Sequence, residues 1–147
     1  MLIYDLNANP LNSNEWAFPL TECFHITSFA LSIGLIALVD LRLLGLALKR
    51  TDPGQLVKDT SMWTLAGLII VITSGLLIFS SDPIRYIYNA GFQYKIAILV
   101  LAIVYNYTIH NRVARSNPSP STAKLVAVVS LILWVLVPFG GIWISFV

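Results

Sequence analysis

Six ionisable side chains inside or beside long apolar segments are the residues of this sequence that could do chemistry. Ionisable groups are costly in hydrocarbon and usually pair with one another or mark a functional site, so each of them is a candidate. They are Glu22, His25, Asp40, Arg42, Lys95 and His110. Carboxylate, imidazole and amine groups of this kind can bind a metal or haem iron, hydrogen-bond a quinone, or form ion pairs.

The spacing of Glu22 and His25 suggests metal ligation. They are three residues apart, so a helix presents both side chains on one face. Bundles that hold a di-iron centre use two Glu-x-x-His pairs together with further carboxylates, and this sequence has no second pair. A di-iron centre is therefore disfavoured, and His25 with Glu22 remains a candidate site for a single metal ion.

Helix geometry sorts the six residues into two depths. His25 precedes Asp40 by 15 residues and Lys95 precedes His110 by the same number, which corresponds to about 22 Å along a helix at 1.5 Å per residue. The two apolar segments that carry these pairs are expected to cross the membrane in the same direction. The prediction is an outer polar cluster of Glu22, His25 and Lys95 and an inner one of Asp40, Arg42 and His110.

Several interpretations of the outer cluster stay open. His25 and His110 are too far apart in depth to hold one haem between them. His25 could bind haem iron or copper with a ligand other than histidine, and His25 or Lys95 could hydrogen-bond a quinone. Alternatively, the three side chains only satisfy one another, or they contact lipid headgroups. The sequence requires no cofactor.

The inner residues are interpreted structurally. Asp40 and Arg42 are two residues apart and point to different faces of a helix, so each is expected to form an ion pair with another helix or to contact headgroups. His110 is interpreted as a histidine of the helix end, on a basic cytoplasmic rim. Anchoring and structural ion pairing are therefore the roles expected of Asp40, Arg42 and His110.

The elements that must position these side chains are four apolar segments. Of 147 residues, 57% are hydrophobic and 11% are charged, whereas soluble domains carry about a quarter charged residues. Each segment is long enough to cross a hydrocarbon core of about 30 Å. The segments are residues 20–48, 62–79, 92–109 and 125–147. We predict an all-α membrane protein with a single domain over residues 1–147, a bundle of four transmembrane helices in the lipid bilayer.

The basic residues predict how the bundle is oriented. Short cytoplasmic loops carry an excess of Lys and Arg, and the first and third links hold most of these residues. Those links contain Lys49, Arg50, Lys58, Arg112, Arg115 and Lys124, against Arg85 and Lys95 around the second. Both termini are therefore expected outside, on the periplasmic face of a bacterial cytoplasmic membrane, with residues 1–19 as an external segment. Because the basic residues are explained by the orientation of the bundle in the membrane, a net charge of +2 does not indicate that the protein binds nucleic acid.

Several motifs resemble those of a known family. They are Trp16-x-x-Pro19-x-x-Glu22-x-x-His25, then the string Asp40-Leu41-Arg42-Leu43-Leu44-Gly45, then Thr73-x-Gly75, Phe92-x-x-Lys95 and His110-x-Arg112. This order resembles an uncharacterised family of small bacterial four-helix integral membrane proteins, a domain of unknown function. The resemblance implies the fold and a bacterial setting, and it brings no established activity. A looser similarity is to four-helix units of copper-resistance and cytochrome b-like proteins, whose multiple paired histidines this chain lacks.

Two functions are consistent with the sequence. The first is an accessory subunit without catalytic activity of its own, packed against other subunits of a larger redox or respiratory membrane complex. It is favoured because the links are short and hold no nucleotide motif and no nucleophile with a base. The alternative is an independent electron-transfer or metal-handling protein that binds haem, copper or quinone through Glu22, His25 and Lys95.

Overall fold

Helices make up almost all of the computed structural model, which describes residues 9–146. The helices are α1 (Pro10–Ser13), α2 (Ala17–Leu43), α3 (Pro53–Ser81), α4 (Pro83–Tyr88), α5 (Ala90–Tyr105), α6 (Asn111–Arg115) and α7 (Pro120–Trp143). A π-helical turn, Asn106–His110, joins α5 to α6 without a break. Four helices are long and apolar enough to cross a membrane: Ala17–Leu43, Pro53–Ser81, Ala90–Arg115 and Pro120–Trp143. The predicted all-α fold with four helices of spanning length is confirmed.

Helices α3, α4 and α7 begin at a capping residue followed by proline. Asp52 accepts a hydrogen bond from the Gln55 amide, and Asp82 and Ser119 cap α4 and α7 in the same manner. Such side chains satisfy backbone N–H groups that lack a helical partner, and proline suits the first helical position. Because these caps lie before the apolar segments, α3 starts earlier than residue 62 and α7 earlier than residue 125.

The end of α2 lies before the end of its apolar segment. Gly45 adopts a φ of +76°, and the Leu46 amide donates to the Leu41 carbonyl. This left-handed glycine closes the helix after Leu43, as glycine does at many helix ends. Apolar residues up to position 48 therefore belong to the link, whereas the third spanning helix continues past residue 109 to Arg115.

The bundle is built from two helix pairs. Helix α2 packs along α3, α5 packs along α7, and α2 and α7 join the two pairs. Glycines allow the close approaches: a Cβ at Gly67 would collide with the Ser32 hydroxyl, and one at Gly140 would lie 3.0 Å from Lys95 Cα. The centre is a cluster to which every spanning helix contributes: Ile36, Leu68, Ala102, Trp134 and Val137.

The two ends of the bundle are closed differently. At one end Gly54, at the start of α3, lies against the backbone of Arg115, so that the first and third links are neighbours. At the other end Asn89 caps α5 and its Nδ2 donates to the Ile144 carbonyl after α7. There Tyr86 packs with two phenylalanines, and burial raises the pKa of its phenol.

Candidate functional site

Asp40, His110 and Ser130 form a buried hydrogen-bonded group at the inner level of the bundle. His110 Nε2 lies 2.7 Å from Asp40 Oδ1, and Ser130 Oγ donates to Asp40 Oδ2 over 2.8 Å. The exposed fractions are 0% for Asp40, 1% for His110 and 0% for Ser130. The group joins α2, the π-helical turn and α7, so one carboxylate connects three of the four spanning helices.

Each polar atom of the Asp40 and His110 side chains has a partner. The second ring nitrogen of His110, Nδ1, faces Asn111 Oδ1 at 3.3 Å. The two carboxyl oxygens of Asp40 are taken up by His110 Nε2 and by Ser130 Oγ. Polar side chains at this depth are tolerated when they are paired and hydrogen-bonded in this way.

The position of His110 differs from the one expected from the sequence, which was at the helix end on the basic rim. That interpretation is wrong, because the helix continues to Arg115 and His110 is buried. The π-helical turn that contains it starts at Asn106, which is also buried. Such turns are rare and occur frequently at functional sites.

A small cavity with both polar and apolar walls lies beside the Asp40–His110 pair, between α2, α3 and the π-helical turn. Its volume is about 20 Å³. Its polar lining comes from Thr60, Ser61, Thr64, Asn106, His110 and Asn111. Asn106 is 2% exposed, and its Oδ1 has no hydrogen-bond partner in the described part of the chain. A buried acceptor next to the Asp40–His110 pair is the clearest chemical feature of this site.

Arg42 does not join this group. Its Nε donates to the carbonyl of Thr51 in the link that follows α2, so the guanidinium holds that link against the end of the helix. The structure thus brings together Asp40 and His110 from the predicted inner cluster and separates Arg42 from them.

The predicted outer residues lie at the opposite level. His25 Nδ1 is 2.9 Å from the Ser74 hydroxyl of α3, and the ring also lies close to Gly75. A Cβ at Gly75 would be 3.2 Å from His25 Cε1, so the glycine lets the imidazole pack directly on α3. The first partner of His25 is therefore a serine rather than Glu22 or Lys95.

Lys95 and Glu22 form no ion pair within residues 9–146. Lys95 packs on Gly140 and Gly141 of α7. The acid–base contact closer than 4 Å in this part of the chain joins Asp40 to His110. The same residues contain no group of three or more His, Cys, Asp or Glu side chains placed to hold a metal ion.

Ser130 and Asn111 are residues of the inner site that the sequence analysis did not single out, because neither is ionisable. Asn106 is polar and lies between the two depths, but a proton relay through it is disfavoured from the sequence because few other carriers lie there. A signal was present, since Asn106 and His110 are four residues apart and would share a helix face. Ser130 carried a weaker one as an isolated hydroxyl in the long apolar fourth segment.

The fold and the buried sites define a small membrane helix bundle of four spanning helices. The model of a family of unknown function (DUF6644) matches residues 17–147, and the chain belongs to this family. The resemblance to an uncharacterised family is thereby confirmed. No curated protein and no solved structure matches the chain.

Proposed function

We propose that this protein is an accessory integral membrane subunit that packs against a transmembrane helix of a larger subunit in the bacterial cytoplasmic membrane. The observation that supports this proposal is the outward face of α2. Cys23, Thr27, Ala30 and Gly34 succeed one another at intervals of four, three and four residues, all four are exposed, and a helix places them on one face. A Cβ at Gly34 would meet no atom of residues 9–146 within 4 Å.

A small-residue face of this kind suits contact with another helix. Burial from water does not drive helix association in lipid, and small side chains allow the close backbone approach that does. Small residues that face inward already pack against another helix of the bundle, as Gly67 does against Ser32. The outward small residues of α2 pack against no helix of the bundle, and we assign them to contact with a helix of a partner subunit.

Both termini are proposed to lie on the periplasmic side. Support comes from the basic residues, because the first and third links hold most of them and those links are neighbours at one end of the bundle. This end would face the cytoplasm under the positive-inside rule. The periplasmic end would then carry His25, Glu22 and Lys95 close to the aqueous surface.

The redox class of the assembly rests on the loose similarity to cytochrome b-like and copper-resistance units. It is tested separately from the accessory role. Subunits that copurify with this protein are expected to carry haem, an iron–sulfur cluster or a quinone site. A stable complex without any redox cofactor would contradict the redox assignment and leave the accessory role standing.

The accessory role is tested by copurification in mild detergent with matched variants. We expect stoichiometric larger subunits with the natural chain, a marked loss with Gly34→Leu, and no change with Ala66→Leu, which alters an exposed small residue on α3. Crosslinking from the native Cys23 should reach the same subunit. A protein recovered alone, a crosslink only to a second copy of the chain, or equal effects of the two variants would contradict the proposal.

The alternative, an independent carrier of haem, copper or quinone at Glu22, His25 and Lys95, gives a different result. Purified protein would then show an absorption band or stoichiometric copper that His25→Ala abolishes. Two features make this less favoured: His25 Nδ1 already pairs with Ser74, and the described residues offer no third His, Cys, Asp or Glu ligand.

A further inference from the structure

We propose that the first link, residues 44–52, binds the phosphate of an anionic phospholipid through Lys49 and Arg50, with Leu46 and Leu48 among the acyl chains of the same leaflet. This surface is separate from the outward small-residue face of α2 and does not require a partner subunit. It does not require either orientation of the bundle, because both leaflets of a bilayer carry phosphate headgroups.

The link is a hydrogen-bonded turn that holds two basic side chains next to each other. The Thr51 amide donates to the Leu48 carbonyl over 2.9 Å, which makes Lys49 and Arg50 the two middle residues of a four-residue turn. From the last turn of α2, Arg42 Nε donates to the Thr51 carbonyl. The turn is therefore fixed against the helix, and its basic residues keep one position relative to the bundle.

The two basic side chains in the middle of this turn are exposed and lack a carboxylate partner. Within residues 9–146, no acidic side chain forms an ion pair with Lys49 or Arg50. The neighbouring acid, Asp52, is used at the start of α3, where its Oδ2 accepts from the Gln55 amide. A guanidinium group binds phosphate oxygens bidentately, and an ammonium group binds them as a point charge. The turn therefore matches a phosphate in both charge and donors.

Two exposed leucines next to the basic pair favour a lipid over free phosphate. Leu46 is 71% exposed and Leu48 is 43% exposed. Leu48 has a φ of +48°, in the left-handed region that a leucine rarely adopts, and strained residues of this kind occur at ligand-binding positions. Apolar side chains beside basic ones are typical of segments that lie in the membrane interface. Free phosphate would use the charges alone.

Other basic residues at the same end of the bundle add a less specific attraction. Arg115 of the third link lies against Gly54 at the start of α3, and Lys58 and Lys124 are exposed nearby in the sequence of α3 and α7. Clustered Lys and Arg residues attract anionic lipids without any particular geometry. The test must therefore separate binding at the turn from the overall charge of this end.

Lipid binding is measured by native mass spectrometry of the purified chain in a neutral detergent. The probes are phosphatidylglycerol and phosphatidylcholine with identical acyl chains. We expect tighter binding of phosphatidylglycerol. Lys49→Gln/Arg50→Gln should weaken it by about tenfold or more, because each basic residue near an anionic surface contributes roughly fivefold. Lys49→Arg/Arg50→Lys keeps both charges and should retain the binding.

Lys58→Gln/Lys124→Gln is the matched control, since it removes the same charge from exposed residues at the same end of the bundle. It should weaken the binding clearly less. Equal losses in the two glutamine variants, with thermal unfolding unchanged, would overturn the proposal. Displacement of the lipid by soluble glycerophosphate, which lacks acyl chains, would also overturn it. Equal affinities of the natural chain for the two lipids would do the same, and that comparison needs no variant to fold.

Discussion

At the scale of single residues, the buried group around Asp40 is the most constrained part of the molecule. Its carboxylate accepts from His110 and from Ser130, and all three side chains are shielded from solvent. Burying groups of this kind is unfavourable, and the cost is offset only if both partners stay paired. Removing one partner therefore leaves the other without its hydrogen bond, and the effects of removing the two are not additive.

This asymmetry gives a prediction for Asp40 and His110. Asp40→Ala leaves His110 Nε2 and Ser130 Oγ without their buried partner and should lower the free energy of unfolding by about 3–5 kcal/mol. The double variant Asp40→Ala/His110→Ala should lose clearly less than the sum of the two single variants. Reversible unfolding in detergent or bicelles measures the cycle. Strict additivity of the two changes would show that the pair is not energetically coupled.

Ser130 offers a second, smaller change at the same group. Ser130→Ala removes one donor to the carboxylate, and hydrogen bonds to charged groups contribute about 1.5–3 kcal/mol to stability. We expect a loss of that size in the same unfolding measurement. Ser121→Ala, at an exposed position near the start of α7, is the control and should be neutral.

At the scale of elements, close helix approach is concentrated at particular glycines. Gly67 of α3 faces Ser32 of α2, where a Cβ would also lie 3.2 Å from the Ser28 carbonyl oxygen. Gly34, two residues from Ser32 on α2, faces outward, and no described atom would lie within 4 Å of a Cβ there. The two glycines look alike in the sequence, and only the rotation of each helix about its axis distinguishes them.

Alanine substitutions should separate the two glycines. Gly67→Ala forces α2 and α3 apart and is expected to destabilise the protein by about 1–3 kcal/mol, the usual cost of overpacking. Gly34→Ala in the isolated protein should be neutral or stabilise it by up to about 1 kcal/mol, since alanine is the better helix former. Thermal unfolding of both variants in one detergent makes the comparison. Similar losses for both would mean that α2 is rotated differently.

The junction at Asn89 is a second feature of the element scale. Asn89 Oδ1 caps α5 by accepting from the Phe92 amide, and Nδ2 donates to the Ile144 carbonyl after α7. Asn89→Ala removes both interactions and should cost about 2 kcal/mol, more than a helix cap alone. Asp82→Ala, which removes only the cap of α4, is the comparison and should cost about 1 kcal/mol. Equal effects would show that the Ile144 contact contributes nothing.

At the scale of the whole molecule, the two ends of the bundle differ in charge and in construction. Basic residues gather at the end where the first and third links meet, and the opposite end holds the amide of Asn9, which donates to the Ser80 carbonyl. This polarity would orient the bundle in a bilayer with the basic end inside. It also places the two polar sites at opposite levels, with the apolar cluster around Trp134 between them.

The orientation is open to a labelling test in a protein that carries Cys23→Ser. Ser13→Cys should then react with a membrane-impermeant thiol reagent in intact spheroplasts, whereas Ser116→Cys should react only after permeabilisation. Both positions are exposed in the structure, so access to the reagent is set by the membrane. The reverse pattern would invert the proposed topology.

Much of the architecture was predictable because its physical causes are local. A run of apolar residues long enough to cross hydrocarbon needs no knowledge of its neighbours to be recognised, and the rise per residue converts a spacing into a depth. The separation of His25 from Asp40 and of Lys95 from His110 therefore indicated two levels. Helix ends were less predictable, since the pattern of apolar residues does not reveal that α3 begins at the cap Asp52 or that α2 ends at the left-handed Gly45.

Only the tertiary structure decided what each polar side chain meets. His25 contacts Ser74, Asp40 contacts Ser130 as well as His110, and Asn106 faces a cavity, because these contacts depend on the rotation of helices that are distant in sequence. The sequence by itself determined four spanning helices and the depth of their ionisable groups, through local hydrophobicity and helical rise. Which neighbouring helix each of those groups faces depends on how the helices pack at residues such as Gly67 and Gly140. That packing involves two helices at once, so the sequence of one segment does not specify it.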